Sequence, residues 1–190
     1  RKHEEELLSQ GLVPVPLLVR EAARKLEEDE RLLAWARERA TALLVDEFQD
    51  TDEEQFWLFT LLAPPPEATF IAVGDVNQSI YEWRGATPGV VEDFREVYSP
   101  KEYVLHRNYR AAEPLVRLAS ALAGTPLTPT RRGGELPSVR DFPNPFTEAA
   151  WIAERAKALL GEGLEVGVLV RSRQQIAPLE EAFLRLGVPY

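Results

Sequence analysis

Twice within the first hundred residues a short apolar run stops abruptly at a carboxylate. Ala42-Leu43-Leu44-Val45 leads into Asp46-Glu47, and Thr69-Phe70-Ile71-Ala72-Val73 leads into Gly74-Asp75, with Gln78 three residues on. Runs of four or five such residues bounded by turn formers read as buried strands with polar tips. Between them, Thr51 and Glu54 have capping-box spacing, which predicts a helix from about Asp52 to Leu62 before the Pro64-Pro65-Pro66 break. Phe56, Trp57, Leu58, Phe59, Leu61 and Leu62 make that helix apolar nearly all round, so it is expected to be buried. Strand, helix and strand in this order call for an α/β fold built on parallel sheets.

The alternation continues. Strands are expected at Glu102–Leu105, around Ser138–Phe142 and at Val166–Val170. Helices are expected at about Ala111–Ala123, Thr147–Leu160 and Ala177–Leu186, the last with Pro178 in its first turn and Gly187 as its stop. Upstream, Leu17–Ala40 reads as one broken helix or two. Pro14 and Pro16 mark its start, apolar positions recur at Leu18, Ala22, Leu26, Leu33 and Ala36, and Glu27–Glu30 forms a solvated face or an inter-helix turn. A boundary near Ser99-Pro100 divides the chain into a helical segment 1–40, an α/β part 41–100 and a second α/β part 101–190. The stretch from Gly124 to Pro137 reads as a surface loop in which Arg131 and Arg132 are solvated.

Composition narrows the function classes. The 190 residues carry no Cys, which removes disulfides, thiolate metal sites and cysteine nucleophiles. No apolar run approaches the roughly 20 residues that span a membrane. The chain starts at Arg1 and has no Met, and it reads as a piece of something longer. Net charge is −9, but unevenly: residues 1–100 carry 10 basic and 21 acidic side chains, net −11, and residues 101–190 carry 12 and 10, net +2. A uniform basic footprint is absent, so any nucleic-acid contact is a local groove.

In open α/β sheets ligands bind beyond the carboxyl ends of strands, which makes three polar clusters candidates. Asp46-Glu47 is what nucleotide hydrolysis requires, one carboxylate for Mg²⁺ and one to activate water; equally, the pair can serve only the amino end of the next helix. In Gly74-Asp75 to Gly85-Ala86, Gln78 has the reach for a terminal phosphate. Tyr81, Trp83 and Arg84 offer the faces and guanidinium that stack on unpaired bases, or else belong to core and surface. In Asn108-Tyr109-Arg110, an arginine facing a nucleotide can stabilise phosphoryl-transfer charge and a tyrosine can stack on adenine. His106 reads as structural.

Taken together, Asp46-Glu47-Phe48-Gln49-Asp50-Thr51, the Gly74–Ala86 stretch and Leu105-His106-Arg107-Asn108-Tyr109-Arg110, in this order and spacing, closely resemble the Walker B segment and next two motifs of the UvrD/Rep family of superfamily 1 DNA helicases. Val168–Ser172, Leu179–Ala182 and Val188-Pro189-Tyr190 extend the resemblance toward the carboxyl end. It implies RecA-like parallel sheets flanked by helices, an incomplete first lobe and part of a second. Residues 1–40 then lead into the first lobe, 41–100 close it and 101–190 open the second.

It also implies roles. Asp46 would hold Mg²⁺, Glu47 would activate the attacking water, Gln49 would help arrange the site and Gln78 would sense the γ-phosphate. Tyr109 would stack on the adenine of ATP, Arg110 would be the arginine finger, and Tyr81, Trp83 and Arg84 would contact single-stranded DNA or single/double-strand junctions. The implied activity is an ATP-dependent DNA helicase or translocase of the cytoplasm, as in DNA repair, with lobe closure on ATP stepping the aromatics along the strand. One departure matters: no G-x-x-x-x-G-K-[ST] phosphate loop occurs. The chain alone is therefore expected not to hydrolyse ATP. The motor of a helicase-nuclease and a non-catalytic DNA-binding remnant are the alternatives.

Overall fold

The computed structural model describes residues 7, 10–66, 68–79 and 89–190. The chain separates after His106 into two compact units, 1–106 and 107–190. In both, parallel strand pairs are combined with helices, an α/β arrangement consistent with part of a RecA-like fold.

The first unit opens with helices α1 (Leu18–Glu28) and α2 (Glu30–Arg39). Asp29 separates them by leaving the helical region at φ −123°, ψ 98°. Its carboxylate then caps α2, accepting from the amides of Arg31 and Leu32. The acidic run is thus an inter-helix turn. The buried face of α1 is set by Ala23, fully buried, with Leu17 just before the helix and half-buried Val19 and Leu26; the predicted positions Leu18 and Ala22 are exposed. Glu21 is also buried there, bonded by Arg24 Nε at 3.0 Å.

Strands β1 (Ala42–Val45) and β2 (Thr69–Ala72) pair in parallel in an unbroken register, Leu43 with Phe70 and Val45 with Ala72. Only one face of this pair is covered. Leu43, Val45, Phe70 and Ala72 turn inward while Leu44 and Ile71 stay exposed, because alternate side chains point to opposite faces and the described chain covers one. Between the strands runs α3 (Glu53–Leu62). Its capping box lies one residue beyond the predicted position, with Asp52 and Gln55 as the reciprocal pair. Thr51 is buried, and the carboxylate of Asp52 complements the positive end of the helix better than a hydroxyl. Apart from exposed Glu53 its residues are half-buried and none is fully buried, so the expected burial is only partial. Helix α4 (Val90–Tyr98) completes the unit and supplies Val90 and Phe94 to a core shared with Phe48.

In the second unit, β3 (Arg107–Ala112) pairs in parallel with β4 (Thr128–Arg131), and α5 (Glu113–Ala123) lies between them. Strand β4 falls inside the predicted loop. Helices α6 (Pro145–Gly161) and α7 (Ile176–Leu186) form the main core through Ala149, Ala153, Ala156, Ala182 and Phe183, and Gly187 ends α7 at φ 64°. The expected strands at 102–105, 138–142 and 166–170 are not formed: none finds a neighbouring ladder among the described residues, and a strand without a partner is not a strand. Val166 instead packs on the α6/α7 core.

Candidate functional site

The carboxyl ends of β1 and β2 are joined by a lattice of short hydrogen bonds. Val73 N donates to Val45 O and Phe48 N donates to Val73 O, both at 2.9 Å, so the chain leaving β1 folds back beside the chain leaving β2. The reversal is made at Glu47, which lies in the left-handed region at φ 51°, ψ 41°. A non-glycine residue is rarely found there, and such strain concentrates at functional turns. What holds it is Phe48. Its ring is only 3% exposed and meets Phe56, Phe70 and Phe94 edge-on at 6.3, 6.1 and 5.1 Å.

Four polar residues then link in series. Gln49 is buried; its Nε2 donates to Glu47 Oε2 at 2.8 Å, and its Oε1 accepts from Asp75 N at 2.9 Å, across 26 residues of sequence. Asp75 in turn accepts from Asn77 N through Oδ1 and from Gln78 Nε2 through Oδ2, at 3.0 and 2.8 Å. Asp46 Oδ1 accepts from Glu47 N at 2.9 Å. Asp46, Glu47, Asp75 and Gln78 are exposed, so the site is a buried amide supporting solvent-facing carboxylates. Nearby in sequence, Asp50 Oδ1 is buried with no hydrogen bond among the described residues.

Gly74 is required by this packing. A β-carbon there would stand 2.5 Å from Gln49 Oε1 and 3.2 Å from the amide nitrogens of Phe48 and Gln49. Neither this requirement nor the part played by Asp75 is visible in the chain's linear order, since both arise from the approach of segments 25 residues apart. The left-handed Glu47 left no sequence signal either.

In the second unit, β3 and β4 are in register at Arg107/Thr128 and Asn108/Pro129 and again at Ala112/Arg131. Three residues of β3, Tyr109 to Ala111, therefore oppose the single Thr130, and β3 bulges outward. Tyr109 is 68% exposed on the bulge and Arg110 is exposed beside it. The amides of Arg110 and Ala111 both donate to Asn108 Oδ1, at 3.0 and 2.9 Å. Tyr81, Trp83 and Arg84 lie outside the described residues.

The donor set at the ends of β1 and β2 has the chemistry that a hard cation takes. Among the described residues no group of three metal-binding side chains occurs, and Mg²⁺ normally takes one or two carboxylates, with phosphate oxygens and water completing its octahedron. Asp46 is an exposed carboxylate of the right hardness for it. No described helix is long and apolar enough to cross a membrane.

The family model described as UvrD/REP helicase N-terminal domain matches residues 2–99, and that described as UvrD-like helicase C-terminal domain matches 103–190. Similar proteins include DNA helicase II of Escherichia coli, 35% identical over 95% of this chain and 26% of that protein. ATP-dependent DNA helicase UvrD1 of Mycobacterium tuberculosis is 33% identical over 91% of this chain and 25% of its own length. ATP-dependent DNA helicase srs2 of Schizosaccharomyces pombe is 33% identical over 78% and 18%. The chain thus spans about a quarter or less of the relatives it matches. With both halves matched, the chain belongs to the UvrD/Rep family of helicases.

Proposed function

We propose that this chain supplies the water-activating part of an ATP-driven DNA helicase motor, together with the nucleotide-facing start of the motor's second lobe. The observation that supports it most is the series Glu47, Gln49, Asp75, Gln78 spanning the ends of two adjacent parallel strands. In this reading residues 1–40 lead into the first RecA-like lobe, 41–100 complete it and 101–190 begin the second.

Asp46 is the residue that would hold Mg²⁺, whose contribution when bound is to neutralise charge on the nucleotide phosphates. Glu47 takes the proton of the attacking water. Gln49 occupies Oε2 of Glu47 with an N–H donor, which turns the carboxylate and leaves Oε1 as the proton acceptor. Gln78, tethered through Asp75 to Gln49, places an amide where a γ-phosphate would be sensed. Tyr109 stacks on the adenine and Arg110 acts as the arginine finger, both presented by the β3 bulge. Tyr81, Trp83 and Arg84 contact single-stranded DNA or a single/double-strand junction, and the protein works in the cytoplasm.

The test is ATP turnover in the complete protein carrying this segment. Glu47→Gln removes the base but keeps the shape, and turnover should fall by about 10²–10⁴ while nucleotide binding persists. Undiminished turnover refutes the assignment. The 190-residue chain by itself should not turn over Mg²⁺-ATP, lacking the G-x-x-x-x-G-K-[ST] loop; robust turnover that Glu47→Gln abolishes would overturn that expectation. Trp83→Ala should weaken single-strand binding by about 1–3 kcal/mol, the range for base stacking.

A further inference from the structure

The register of β3 on β4 is interrupted between Asn108 and Ala112, so Tyr109, Arg110 and Ala111 have no one-to-one partners on β4. A bulged segment of three residues has backbone groups that the partner strand cannot serve, and it would be loosely placed unless side chains replaced the lost bonds. Strand β4 provides such replacements. Arg131 Nη1 donates to Arg110 O at 2.7 Å, and Thr130 Oγ1 donates to Asn108 O at 2.8 Å. Asn108 Oδ1 closes the other side by accepting from the amides of Arg110 and Ala111. The peptide flanking Arg110 is therefore gripped at its amide by Asn108 and at its carbonyl by Arg131.

The segment after β4 keeps this grip in place. Gly134, at φ 104°, lies so close to α5 that a β-carbon would stand 2.6 Å from Ala112 Cβ and 3.7 Å from Pro114 Cδ. The chain from Arg131 to Gly134 thus meets Ala112 twice, by pairing of Arg131 with it and by the close approach of Gly134. A surface arginine that merely seeks solvent has no reason to spend its guanidinium on a backbone carbonyl 21 residues away.

We propose that Arg131 is a positioning residue: it fixes the backbone of Arg110, and through it the direction in which the Arg110 guanidinium and the Tyr109 ring leave the bulge. This rests on the reading of Arg110 as the residue that faces nucleotide. Arg131 itself touches no substrate. Its effect is to keep the bulge in one conformation before nucleotide arrives, so that the ordering is not done at the moment of reaction.

Two measurements together test this. In the 190-residue chain, amide hydrogen exchange of Arg110 and Ala111 should accelerate about tenfold in Arg131→Ala, as expected for loss of one hydrogen bond, while amides of α6 and α7 are unchanged. In the complete protein, Arg131→Ala should lower kcat for ATP hydrolysis about tenfold with little change in KM, Arg131→Lys should recover part of it, and Arg110→Ala combined with Arg131→Ala should be no slower than Arg110→Ala alone. Unchanged exchange at Arg110 and Ala111 overturns the grip itself. Faster exchange with full turnover in Arg131→Ala, where Arg110→Ala is inactive, overturns the positioning role. If Arg110→Ala turns over normally, the nucleotide reading of Arg110 fails and the role in turnover falls with it, leaving the exchange result as the measure of the grip alone.

Discussion

The two parallel strand pairs solve the same problem in opposite ways. At the ends of β1 and β2 the register is unbroken and the polar residues are mounted on the core. Phe48 is buried one residue after Glu47, and Gln49 is buried while bonding Glu47 and Asp75. At β3 and β4 the register breaks, and the polar residues stand on a solvent-exposed bulge gripped by Asn108, Thr130 and Arg131. The first arrangement couples the site to the stability of its unit. The second uncouples them, because exposed hydrogen bonds exchange readily with water and add little to the folding free energy. On the roles proposed above, a base that would hold one carboxylate oxygen toward a water gains from the first arrangement, and an arginine that would meet and leave a nucleotide gains from the second.

The contrast is most severely tested by Phe48→Ala. Its ring touches three other aromatic rings and joins β1, β2, α3 and α4, so removal should cost the first unit about 3–5 kcal/mol. Thermal or denaturant unfolding of the first unit should shift by that amount, with the second unit unmoved. If the two transitions shift together, the units are not independent in stability and the contrast loses its basis.

Gly74→Ala comes next. The added methyl meets Gln49 Oε1 at 2.5 Å, and with two backbone nitrogens at 3.2 Å the strain cannot be relieved by the amide side chain alone. An overpacked site of this kind should lose about 1–3 kcal/mol. Because the displaced group is the one that orients Glu47, turnover in the complete protein should fall along with stability. A variant that is destabilised but fully active would show that Gln49 is structural only.

Tyr98→Phe probes the rim of the same core. Its hydroxyl donates to Ala63 O at 2.7 Å, and loss of that bond should cost about 1 kcal/mol. Burial pushes the Tyr98 phenol above its ordinary range near 10. A phenol whose folded pKa is raised stabilises the fold fully below the unfolded value, and that contribution disappears as pH rises through the folded one. Alkaline unfolding should therefore begin above about pH 10 and be less pH-dependent in Tyr98→Phe, which an absorbance titration alongside denaturation would read. Equal pH dependence in the two proteins would exclude Tyr98 as the responsible group.

Much of this architecture can be read from residue order, and the exceptions have a common cause. Caps and stops are local, so the Asp29 turn, the helix after Asp52 and the Gly187 end of α7 lie within a residue or two of where the sequence puts them. The polar residues after β1 and β2 are legible because each group directly follows an apolar run, whereas Tyr81, Trp83 and Arg84 lie outside the described residues. What residue order hides is long-range approach: Gly74 against Gln49, Arg131 against Arg110, and the choice of which face of β1 is covered. The unformed strands at 102–105, 138–142 and 166–170 make the same point from the other side. Their composition suits a strand, but a strand is a relation between two segments, and no second strand pairs with them among the described residues.

The smallest effect is the most discriminating. Thr130→Val keeps the shape of the side chain and removes the hydroxyl that donates to Asn108 O. Thr130 is exposed, so the freed carbonyl is rehydrated and the stability of the second unit should change by no more than about 0.5 kcal/mol, within the range of ordinary surface substitutions. The local consequence is different in kind. Without that donor, one side of the bulge is held only through Arg131, and exchange of the Arg110 and Ala111 amides should rise severalfold although global unfolding is unmoved. Should stability fall by a kilocalorie or more instead, the bulge would be coupled to its unit much as the Glu47 turn is to the other, and the two strand pairs would differ in geometry but not in how they hold their functional residues.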